Sequence, residues 1–130
     1  MSNCGCIYVD CDWYAEEYIE DQVVAKKSVR CSECGNLITR GEEHIKATYQ
    51  DDEEKWRTRR TCLDCQSIID EFFCDGHKFN AVWTNVKEHV YDLEGQISSE
   101  CLLNLTPKAR EKVFDIIEET WEELYALEEE

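Results

Sequence analysis

The sequence predicts an α+β protein: a treble-clef zinc-binding core of knuckle, β-hairpin and helix, followed by acidic α-helices. Three observations carry this expectation. The pair CSEC (Cys31, Cys34) is answered 27 residues later by CLDC (Cys62, Cys65), and four thiolates match the tetrahedral preference of zinc. The stretch between the pairs reads as a strand, an acidic turn and a second, alternating strand. Beyond residue 77 the apolar residues recur at helical spacing.

The 130-residue length suits one domain or a small domain with an appendage. With 34% charged residues and a mean hydropathy of -0.60, the core is thin, and thin cores often need a metal or disulfide staple. Nine cysteines are present, an odd number that leaves one thiol over if the rest pair. No basic, apolar leader opens the chain, and no run approaches the ~20 apolar residues of a membrane span. The expected compartment is therefore the cytoplasm, where thiols stay reduced. That favours metal over disulfides.

Each element follows from local pattern. Gly41 marks the turn before a strand over 42–50, residues 51–54 (DDEE) form the turn, and 55–61 (KWRTRRT) the return strand. In the return strand Lys55, Arg57 and Arg59 share one side, with Trp56, Thr58 and Arg60 on the other. Thr61 is a fair N-cap for a helix carrying Ile68, Ile69, Phe72 and Phe73 on one stripe. Cys62 and Cys65 then fall on its first turn, where the helix dipole favours thiolate. A second helix is expected over 78–93, with Phe79, Val82, Trp83, Val86, Val90 and Leu93 on one face. A short apolar piece, SSECLLNL, follows Gly95. Thr106 caps and Pro107 opens a last helix faced by Val113, Ile116, Ile117, Trp121 and Leu124. If helical from 107 to 128 it is about 33 Å long. This organisation divides the chain into 1–93, a zinc-binding domain with an N-terminal cysteine segment, and 94–130, an acidic helical extension packed on it.

The four-cysteine set has a structural character, since a catalytic zinc keeps an open position. A thioredoxin-type redox pair is the alternative, but neither pair follows a strand in a βαβ unit. A second zinc is expected at Cys4, Cys6, Cys74 and His77, with Cys11 competing, if the N-terminal segment folds back over the end of the 62–73 helix. Otherwise these are free thiols. Cys101 sits in apolar surroundings and reads as a core thiol. His44 invites comparison with the HNH nuclease pattern, but no asparagine lies between 37 and 78 and no histidine between 45 and 76 to complete a catalytic metal site. An ordinary strand histidine is the simpler reading, and His89 reads as a surface or core residue.

Net charge is -16. Residues 66–130 carry sixteen acids against five bases, whereas residues 21–65 balance nine against nine. Nucleic acid should be repelled, so the RTRR run (57–60) reads as charge compensation beside the thiolates. A basic protein partner is more plausible. The last helix has nine acids after residue 110. It is either a solvated face or a negative rod offered to that partner. Its contact residues would be Glu118, Glu119, Glu122 and Glu123, with Trp121 and Tyr125 as aromatic anchors.

The segments KSVRCSECGNLITRGEEH, TCLDC and FFCDGH, with the N-terminal Cys4 and Cys6, resemble a group of small phage and prophage zinc-binding proteins of CxECG…TCxxC type. The resemblance covers about residues 1–90 and implies a zinc-binding fold and a phage origin, without an activity. In acidity the chain is also similar to phage inhibitors of host defence or transcription, DNA mimics among them. The leading functional expectation is thus a non-enzymatic, zinc-stabilised acidic protein that blocks a basic, nucleic-acid-binding host protein, as anti-CRISPR, anti-restriction or transcription inhibitors do. The alternatives are a zinc-stabilised adaptor in phage replication or transcription, and a metal-dependent nuclease.

Overall fold

The computed structural model describes residues 7, 17–73 and 76–128, with side chains to residue 126. Strands β1 (Tyr18–Val24), β4 (Glu43–Gln50) and β5 (Trp56–Cys62) form a sheet in the order β1-β4-β5. Both pairings are antiparallel. Strands β2 (Val29–Arg30) and β3 (Leu37–Ile38) make a small ribbon. Three helices follow, α1 (Leu63–Phe72), α2 (Val82–Asp92) and α3 (Pro107–Glu128), with a 3-10 turn at Ser99–Leu102 before the last. The molecule is thus a mixed α+β structure with a small sheet and three helices.

The β4–β5 hairpin lies within one residue of its expected bounds. Asp51 closes it: its Oδ1 accepts from the Glu53 and Lys55 amides, and Oδ2 takes Arg57 Nε at 2.9 Å. Arg57 holds the Asp51 carboxyl below its usual range. The ribbon holds CSEC in its turn. Gly35 supplies the left-handed residue there, at φ 76°, which an L side chain adopts only with strain.

Three expectations need correction. Cys62, not Thr61, is the N-cap of α1, and its sulfur accepts from the Cys65 amide. Helix α2 starts at Val82 rather than 78, because Asn80 takes a left-handed conformation (φ 66°) and residues 78–81 form a turn. Phe79 is thereby released from the helix and packs under Arg59 and against Tyr49. Strand β1 was not expected. Its residues YIEDQVV are mostly exposed, so the alternation that marks a half-buried strand is weak.

The main core runs through Ile68, Phe72, Val82, Val86, Val90, Leu102, Val113 and Ile117. It therefore draws on both sides of residue 93, and the C-terminal helices are packed onto the cysteine-bearing part. Ile7 joins this core, and its amide donates to Phe72 O at 2.7 Å, at the end of α1. Thr106 caps α3 as expected, its hydroxyl accepting from the Ala109 amide and donating to Asp64 at the start of α1. Arg110 donates to the carbonyls of Leu102, Leu103 and Leu105, fixing the preceding turn. Cys101 is buried, and its sulfur is in a disulfide rather than a free thiol.

Glu33, between the two knuckle cysteines, joins the layers. Its side chain is 1% exposed and accepts from Arg59 Nη2 at 2.8 Å. It also accepts from the Asn80 amide at 2.9 Å and the Val82 amide at 3.2 Å. It thus ties knuckle to hairpin and caps the positive N-terminal end of α2. Replacing Glu33 by Ala would leave the largely buried Arg59 guanidinium without its carboxylate and the Val82 amide without its acceptor. The expected outcome is a loss of about 3–5 kcal/mol in chemical denaturation.

Candidate metal centre and acidic face

The sulfurs of Cys31, Cys34, Cys62 and Cys65 all lie within 4.8 Å of one another. Each comes from a defined place: two from the β2–β3 turn, one from the N-cap of α1 and one from its first turn. The Cys31–Cys65 and Cys34–Cys62 separations are both 3.8 Å. That is far beyond the ~2.05 Å of a disulfide. It equals the edge, about 3.8 Å, of a tetrahedron whose centre lies ~2.3 Å from each sulfur, the zinc–thiolate distance. The four residues are a possible metal-binding site consistent with zinc.

Every sulfur also receives one N–H. The Cys62 amide donates to Cys31 (3.4 Å), the Asn36 amide to Cys34 (3.5 Å) and the Cys65 amide to Cys62 (3.5 Å). The Trp83 indole donates to Cys65 at 3.2 Å. Four donors aimed at four sulfurs suit thiolates, because sulfur accepts such bonds well only when charged. Without a metal the same proximity makes the thiols share protons. Hydrogen bonds from Cys62 and Cys65 hold the Cys31 thiol far below its ordinary value, and the Cys31 thiolate pushes Cys62 up to about 12 and Cys65 higher still.

Trp83 was expected only as part of an apolar helix face. It links three helices: its N–H reaches Cys65 of α1, it stands on α2, and Lys112 of α3 sits over its ring at 4.0 Å. Neither its role nor that of Glu33 had a sequence signal beyond residue type.

Of the second expected set, Cys4, Cys6, Cys11 and Cys74 lie outside the described residues. His77 is half-buried between the rings of Phe73 and Phe79, and burial lowers its affinity for a proton. His44 is fully buried, and both ring nitrogens are engaged. Arg60 can only donate, so His44 Nε2 accepts from it at 3.0 Å, leaving Nδ1–H for the Glu42 carbonyl at 3.4 Å. On α2, Asn85 Oδ1 and His89 Nε2 are buried with no hydrogen-bond partner among the described residues. The RTRR run is split: Arg57 pairs with Asp51, Arg59 with Glu33, and Arg60 with His44.

On α3, Glu111, Asp115, Glu118, Glu119, Glu122 and Glu123 are all exposed. Among the described residues their one ion pair is a 4.0 Å contact from Lys87 to Glu119. Tyr125 is 62% exposed and Trp121 41%, joined by Phe114 at 47%, which sequence reasoning did not single out. Phe114, Trp121 and Tyr125 fall at i, i+7 and i+11 and share a stripe. Trp121 is partly committed inside the molecule. Its indole donates to Glu94 O at 3.2 Å and covers Gly95, where a Cβ would clash with it.

No protein-family model matches the chain, and neither does any curated protein or solved structure compared with it. No helix among the described residues is long and apolar enough to cross a membrane.

Two outcomes are expected for the centre. Trp83→Phe, which keeps the ring and removes the donor, should weaken metal affinity by about 10–100-fold in chelator competition. Binding also requires four protons to stay off sulfur, so metal should be held at neutral pH and released as pH falls, measurable with a zinc-sensitive dye.

Proposed function

We propose that the chain is a non-enzymatic, zinc-stabilised acidic protein of treble-clef type that binds and blocks a basic host protein handling nucleic acid. Cys31, Cys34, Cys62 and Cys65 hold a structural zinc, with no ligand position left for substrate. The order of knuckle, hairpin and helix with its two terminal cysteines supports the treble-clef reading. The phage origin rests on the resemblance of residues 1–90 to small phage zinc proteins, and inhibition of host defence or transcription is the role that such an origin suits.

One observation carries the functional reading. Helix α3 exposes six carboxylates from Glu111 to Glu123, nearly free of internal ion pairs, beside an exposed aromatic stripe. Unpaired like charges along one helix repel each other, so a partner bearing Lys and Arg would relieve that repulsion as it bound. Charge complementarity sets encounter rate and specificity, and Tyr125 and Phe114 supply apolar contact area. Packing of α3 against α1 and α2 anchors its buried side, and the Lys112–Trp83–Cys65 chain ties it to the cysteine cluster. Carboxylates set along a helix would occupy a groove built for phosphates.

The test is capture from host lysate by the immobilised chain at low salt and at ionic strength high enough to shorten the Debye length to about 3 Å. A basic nucleic-acid-binding protein should be retained at low salt and released at high salt. Charge reversal at Glu118, Glu119, Glu122 and Glu123 should abolish its capture. Capture that ignores both salt and charge reversal contradicts the reading.

A further inference from the structure

The chain as a whole repels anions, yet one cleft does the opposite. It is a half-open cleft of about 490 Å³ lined by Lys26, Lys27, Lys46 and Arg60 together with apolar residues that include Val23 and Val29. Four cationic residues line it and, among the described residues, no acidic one does, in a protein where acids outnumber bases thirty to fourteen.

The sheet register concentrates this charge. Lys46 of β4 stands directly opposite Arg60 of β5, and like charges so placed destabilise a sheet unless something neutralises them. Asp21 is the neighbour of Lys46 on β1 but forms no ion pair with it. Among the described residues none of the four cations has a salt-bridge partner, whereas Arg57, Arg59, Lys55 and Lys87 each do. Buried His44 holds the Arg60 guanidinium by one N–H, so its direction is set while its remaining donors make no bond among the described residues. A guanidinium held in place with donors to spare, flanked by ammonium groups, is a phosphate-recognising arrangement.

We propose that this cleft binds a small phosphate-bearing ligand of nucleotide size, with Arg60 and Lys46 at its base and Lys26 and Lys27 closing over the phosphates. The cleft volume falls within the ~300–1,000 Å³ of small-molecule sites, and an apolar lining with a few convergent polar groups is their usual composition. The valines offer a surface for a base or other apolar moiety. This site is independent of the acidic face of α3 and of what that face binds.

Calorimetric titration of the full chain with ADP, pyrophosphate, adenosine and a short single-stranded oligonucleotide tests the proposal. ADP and pyrophosphate should bind and adenosine should not. Lys26→Gln with Lys27→Gln, both at exposed positions, should weaken ADP binding about tenfold or more while leaving the melting temperature unchanged. ADP tighter than pyrophosphate would make the ligand a nucleotide, and equal affinities an inorganic or simpler phosphate. The proposal is overturned if neither phosphate compound binds at millimolar concentration, if adenosine binds as well as ADP, or if the double variant binds like the parent chain. Binding of the oligonucleotide alone would also overturn it, in favour of a nucleic-acid interface.

Discussion

Four sulfurs held within 4.8 Å of one another, two pairs of them at 3.8 Å, are the constraint on which the rest of the structure depends. Thiolates at that distance repel one another, and thiols there can only share protons, so the arrangement is stable as a ligand set. The cysteines come from the knuckle and from the start of α1, segments separated by the whole β4–β5 hairpin. A metal bound to all four would close that loop, beside a second buried cluster of only four residues, Ala25, Cys31, Ile38 and Cys65. Binding energy at such a centre is folding energy.

The surroundings carry that constraint outward. Glu33, forced into the turn between two ligands, reaches the hairpin through Arg59 and the second helix through the Val82 amide. Trp83 returns the link from that helix to Cys65 and passes it to α3 through Lys112. The acidic helix is therefore linked to the cysteine cluster through packed side chains. Charge is sorted on the same frame: carboxylates along α3, and cations in the cleft that residues 23–29 form with Lys46 and Arg60 of the hairpin. Two faces of opposite sign on one small protein allow two ligands of opposite charge.

Much of this was legible in the sequence, for identifiable reasons. The metal-ligand spacing, the hairpin turn at 51–54 and the Thr106–Pro107 start of α3 are local signals, each set by residues within a few positions. What was missed depends on distant contacts. Strand β1 exists because β4 offers it an edge, and its own residues are too exposed to show a period. The late start of α2 follows from Asn80 and from Glu33, which lies 47 residues earlier. The basic cleft was hidden because Lys26, Lys27, Lys46 and Arg60 are scattered along the chain and averaged into a balanced segment. Strand register brings Lys46 and Arg60 together, and the segment after β1 adds Lys26 and Lys27.

The central claim is that zinc at Cys31, Cys34, Cys62 and Cys65 organises the fold, and native mass spectrometry of the freshly reduced chain tests it most directly. The account predicts at least one bound zinc, and a shift from a compact to an extended charge-state distribution when the metal is chelated. A compact chain carrying no zinc, or one that stays compact after chelation, would contradict it.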